Sequence, residues 1–92
     1  MQWLEIIQVR SVGTGRAEFQ EQFRMLILEN ARCCEQGVDI KLFQHSSVTS
    51  DFSIFICHDS NSTEKRGSEF GIRLAWMLKE YGYVDHTVWQ KA

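Results

Sequence analysis

Apolar side chains recur with a period of two in four stretches of this chain and with a helical period in two others. The densest strand pattern runs from Ser50 to Ser60, Ser-Asp-Phe-Ser-Ile-Phe-Ile-Cys-His-Asp-Ser. Phe52, Ile54 and Ile56 share one side of it, and Ser53, Phe55 and Cys57 the other. An aromatic ring on each side predicts a mid-sheet strand covered on both faces. Trp3 to Val12 reads the same way, with Leu4 and Ile6 on one face and Ile7 and Val9 on the other. Val38 to about Val48 places Val38, Ile40 and Leu42 opposite Lys41, Phe43 and His45. Tyr83 to Gln90 places Val84, His86 and Val88 opposite Asp85, Thr87 and Trp89.

From Gly15 to about Gln36 the spacing is three-and-four. Phe19, Phe23, Leu26, Ile27, Asn30 and Cys34 form one helical stripe, and Gly37 is a left-handed stop. Met25 and Leu28 project from the outer side. Ser68 is placed to cap a second helix running to Tyr81, with the stripe Phe70, Leu74, Met77, Leu78 and Tyr81. Ile72 and Trp76 lie on its outer side, and Gly82 ends it. The polar run Asp59–Gly67 is the longest loop.

The element order is β-α-β-β-α-β over a single domain, residues 1–92. That order predicts the ferredoxin-like α+β fold: a four-stranded antiparallel sheet with two helices on one face. Its first and third strands are central, which matches the two strands apolar on both sides. The turn at Val48-Thr-Ser-Asp51 lacks Asn-Gly or Asp-Gly, so the pairing of the second and third strands is open by one residue. Helices cover one sheet face only. Apolar groups occupy both, so the second face predicts closure against another copy of the chain, a homodimer.

Composition removes several functions. The chain has 92 residues and a net charge of −2, with both signs interspersed and no basic stripe. That excludes a nucleic-acid surface and an anionic-membrane surface. No targeting leader and no membrane span are read from the sequence. Three cysteines, two of them the adjacent Cys33 and Cys34, make no disulfide framework. They place the protein in the reducing cytoplasm.

Cofactor motifs are equally sparse. Gly13-Thr-Gly15-Arg16 stands between a strand and a helix, but Glu18 occupies the position where a dinucleotide fingerprint needs a small residue. The acylphosphatase-like Gly15-Arg16 pair lacks that family's asparagine on the second strand. His45, His58, His86 and the cysteines show no metal-ligand spacing, so neither metal nor cofactor is expected. Asn30 interrupts a core stripe, His45 neighbours Phe43, and the Tyr81 hydroxyl needs a partner. With Phe43, Phe55 and Trp89 they are the candidate lining of a small aromatic pocket. Met25, Leu28, Ile72 and Trp76 are the candidate surface for a partner or for the dimer.

Short β-α-β-β-α-β chains with strands apolar on both sides, no cofactor motif and a Trp on the last strand resemble the dimeric α/β-barrel superfamily. Its antibiotic-biosynthesis-monooxygenase-like proteins are its best-known small members. The resemblance covers nearly the whole chain and carries no catalytic residue with it. It implies two sheets packed face to face and an apolar ligand pocket in each subunit. Some members oxidise aromatic compounds without a cofactor, and others degrade haem. The reading is therefore a small-molecule-binding, oxygenase-like protein. The alternative is a non-catalytic interaction or regulatory module that uses the outer helix faces.

Overall fold

The computed structural model describes residues 2–11, 21, 24–25, 27–28, 37–48, 50–60 and 63–92. Four strands form one antiparallel sheet: β1 (Trp3–Ser11), β2 (Val38–Gln44), β3 (Asp51–His58) and β4 (Gly82–Gln90). Their order across the sheet is β2-β3-β1-β4, so β1 and β3 are central. One helix is complete among the described residues, α1 (Glu69–Leu78). The helix expected over 15–36 lies mostly outside them. Glu21, Arg24, Met25, Ile27 and Leu28 are helical, and Ile27 is buried in the core.

The pairing settles the register. Ile7 faces Ile54 on β3 and His86 on β4, and Ile40 on β2 faces Ile56. Alternation then sorts the sheet into two faces. Ile7, Val9, Phe52, Ile54 and Ile56 meet Leu74, Ala75 and Leu78 of α1 in a single core. Each large side chain fully buried there contributes about 1.5–3 kcal/mol. The other face carries Leu4, Ile6, Phe43, Phe55, Tyr83 and Trp89, with no element of the described chain over it. Tyr83 is 76% exposed and Trp89 57%.

Several boundaries differ from the sequence reading. The helix expected to reach Tyr81 ends at Leu78, because Lys79 turns its N–H to Met77 and Trp76 as the cap. Tyr81 follows in the turn and packs against the core from there. The core stripe of α1 includes Gly71 and Ala75, while Phe70 and Met77 are only half-buried. The second strand stops at Gln44, not Val48. His45 leaves the strand and closes the hairpin: its Nδ1 accepts from the backbone N–H of Ser47 (3.0 Å) and Val48 (2.9 Å). A side-chain acceptor thus takes the place of an Asn-Gly turn.

Candidate functional site

Glu5 lies on the core face of β1, between Trp3 and Ile7, and none of its surface reaches solvent. Its direct neighbours are Ile56 on β3 and Val88 on β4. One step along each flanking strand, on the same face, stand His58 and His86. Such diagonal neighbours lie within reach of a long side chain. His58 Nε2 is 2.7 Å from Glu5 Oε2, and His86 Nε2 is 2.8 Å from Oε1.

The remaining lone pairs of Glu5 are taken by the start of α1. Ser68 donates its N–H to Oε1 (3.0 Å) and its hydroxyl to Oε2 (2.6 Å). The Ser68 Oγ also accepts from Gly71 N–H (3.0 Å), the N-cap bond expected of this serine. The carboxylate therefore sits at a helix N-terminus, where free N–H groups and the helix dipole favour negative charge. It makes four hydrogen bonds, two to each oxygen. Isolated burial of a carboxylate is costly, and only a complete partner set offsets it.

Two glycines make room for it. A Cβ at Gly71 would fall on the Glu5 carboxylate, and one at Gly67 would stand 2.6 Å from His86 Cε1. On the other side Trp3 stacks on His58, with ring centroids 3.8 Å apart and planes 9° from parallel. Trp3 is buried, and its Nε1 has no hydrogen-bond partner.

Of the two histidines, His86 is the one nearer the surface. It lines an open groove of about 990 Å³ between α1 and β4. Ile72, Ala75, Trp76 and Val84 give the groove apolar walls, and Arg66, Arg73, Lys79, Glu64 and Glu69 stand around it. Lys79 Nζ lies 4.6 Å from the centre of the Trp76 ring, a cation–π distance.

The residues singled out in the sequence fall in several places. Phe43 and Phe55 meet edge to face on the open sheet face, centroids 5.2 Å apart. Phe43 and His45 also line a depression of about 430 Å³ on that face, with Arg10, Asp51 and Tyr83. Trp89 is on the same face at its other end, opposite Leu4, and donates its Nε1–H to Thr87 Oγ1 (2.9 Å). Tyr81 is on the core side, so the five described candidates, Phe43, His45, Phe55, Tyr81 and Trp89, do not form one pocket. Asn30, Cys33 and Cys34 lie outside the described residues. Met25, Leu28, Ile72 and Trp76 are all exposed. In the single chain Ile72 and Trp76 form one wall of the groove. Among the described residues no group of three or more His, Cys, Asp or Glu is arranged to hold a metal.

Sequence reading passed over Glu5. The signal was an acid on the core side of a central strand, together with a histidine on the core side of each strand that pairs with it.

Comparison with solved structures follows the sheet-and-helix arrangement. A proposed antibiotic biosynthesis monooxygenase from Deinococcus radiodurans superimposes with a TM-score of 0.66 at 15% identity, over 98% of this chain and 92% of that one. The chain has the fold of the antibiotic-biosynthesis-monooxygenase-like proteins. SnoaB, a cofactor-independent oxygenase from Streptomyces nogalater, shares this monooxygenase-like fold with a TM-score of 0.64 at 14% identity, over 99% and 94% of the two chains. Rv0793 from Mycobacterium tuberculosis gives 0.65 at 16%, over 100% and 96%. No protein-family model matches the sequence, and no curated protein aligns with it significantly. At these identities the likeness describes the fold. No helix among the described residues is long and apolar enough to cross a membrane.

Proposed function

We propose that this monooxygenase-like protein binds a small, largely apolar or aromatic molecule in the groove between α1 and β4, with oxygenase-like chemistry as its activity. One observation carries the reading: a fully buried carboxylate holds two imidazoles, and one of them lines an apolar-walled groove. A core built only for stability has no need of Glu5. Replacing buried ionic groups with apolar ones of similar volume is often neutral or stabilising. Local rules are broken most often where a protein performs its function. The fold supports the reading through SnoaB, a cofactor-independent oxygenase on the same scaffold.

Filling the groove tests this reading. Val84→Trp places an indole between α1 and β4 at a half-buried site. Native mass spectrometry of the protein from its expression host, and of protein incubated with naphthalene-type aromatics, should show a bound small molecule that Val84→Trp removes. Equal retention of aromatics by that variant and by the unaltered chain would place the ligand elsewhere.

A second reading rests on exposure. Met25, Leu28, Ile72 and Trp76 are apolar and open, with Trp76 70% exposed, and they suit a protein partner better than water. A partner protein that co-purifies and is lost in Trp76→Glu would favour an interaction module. In either case we place the protein in the cytoplasm as a homodimer closed through the open sheet face.

A further inference from the structure

We propose that Glu5 is a positioning residue that fixes the tautomer of His86, and that the groove consequently selects aromatic molecules bearing a hydroxyl or N–H donor. This inference rests on the groove being the binding site.

The argument is a count of hydrogens. An ionised carboxylate only accepts. Ser68 N–H can only donate to it. Ser68 Oγ already accepts from Gly71, so its own hydrogen turns to Glu5 Oε2. Each Glu5 oxygen takes its second bond from an imidazole Nε2. Both histidines therefore carry their hydrogen on Nε2. A neutral imidazole protonated there has a bare Nδ1, an acceptor. His86 is the histidine that lines the groove. With Nε2 committed to Glu5, Nδ1 is the nitrogen left for a ligand. A phenol, enol or N–H compound pairs with that lone pair. An ether or ketone of the same shape brings a second acceptor and leaves both groups unpaired, a loss that desolvation in the groove makes larger.

Gly67 is part of the device. It stands against His86 Cε1 and the Glu5 carboxylate, where any side chain would push the ring off Oε1. Its φ of +99° is also a conformation that side chains rarely adopt.

Two measurements test the proposal. The first is long-range proton–nitrogen NMR of the imidazole rings in the wild-type protein. His86 should show a hydrogen on Nε2 and a pyridine-like Nδ1. In Glu5→Ala the Nε2–H loses its acceptor, and the ring should become a mixture of tautomers, a change that loss of packing alone does not cause. A hydrogen on Nδ1 of wild-type His86, in the other tautomer or as imidazolium, overturns the proposal. The second is equilibrium binding of naphthol and of its methyl ether, methoxynaphthalene. Wild type should prefer naphthol by about tenfold, the size of one net hydrogen bond. His86→Phe should keep the ether's affinity and lose the preference. If both probes bind wild type equally, the donor selectivity is wrong and the groove reading stands. If neither binds, the groove reading fails and this inference fails with it. Wild type and His86→Phe decide the matter even where Glu5→Ala does not fold.

Discussion

Glu5 gathers four hydrogen bonds on one fully buried carboxylate. It accepts from His58, His86 and twice from Ser68. Removing it leaves four donors facing a cavity. With the histidines neutral no charge is orphaned, but each buried donor left unpaired costs about 1–3 kcal/mol. Glu5→Ala should lower the urea midpoint by more than one such loss, with an unchanged slope. Glu5→Gln keeps one acceptor oxygen and the shape, and should lose less, about 1–3 kcal/mol. If Glu5→Ala is as stable as the wild type, the cluster is not the tie described here. This residue was absent from the sequence reading for a physical reason. Faces of a strand are legible from alternation, but the partner of a charged residue depends on register. The turn chemistry at 48–51 left β2 and β3 uncertain by a residue, and no local signal ties Glu5 to residues more than fifty positions away. The histidines were weighed by ligand spacing along the chain, whereas their meeting point lies across the sheet.

At the scale of the element, α1 begins where it does because of Ser68, and its first turn is shaped by Glu5. Gly71 stands inside the helix, where alanine would ordinarily add about 1 kcal/mol of stability. A Cβ there meets the carboxylate instead. Gly71→Ala should therefore destabilise the wild-type protein, and become neutral or stabilising when combined with Glu5→Ala. Chemical denaturation of the four-member set gives the coupling directly. Equal effects in both backgrounds would separate Gly71 from Glu5. The elements themselves were well foreseen. The four strands, their central pair and the Ser68 cap follow from alternation, two-sided apolarity and one serine before a helical stripe. The end of α1 was not, because Tyr81 continues the helical spacing while the backbone has already turned at Lys79.

For the whole molecule, the open face of the sheet sets the question. Leu4, Ile6, Phe43, Phe55, Tyr83 and Trp89 lie on it, and each large apolar group left wet forgoes about 1.5–3 kcal/mol of burial. A small domain has roughly 5–10 kcal/mol of net stability. A two-fold pair of such faces covers both with one patch. Light scattering behind a sizing column should give twice the chain mass of 10.8 kDa. Ile6→Glu puts a charge at the centre of that face and should give the single mass with the strands intact by circular dichroism. A wild-type monomer at micromolar concentration would rule out closure through this face. Pattern alone made this face legible as apolar, because Phe55 and Leu4 broke the alternation expected of a wetted sheet.

The separations across the Glu5 cluster carry a last consequence, for the order of events in folding. Glu5 bonds partners 53, 63 and 81 positions away. Contacts so distant along the chain close large loops before they return any energy, so they form late. The bonds to Ser68 and His86, the most distant of the set, then belong to the final docking of α1 and β4. A contact made after the rate-limiting barrier governs escape from the native state rather than arrival in it. Stopped-flow kinetics of Glu5→Gln should accordingly show faster unfolding with refolding almost unaltered, so that Glu5 acts chiefly on the lifetime of the folded protein.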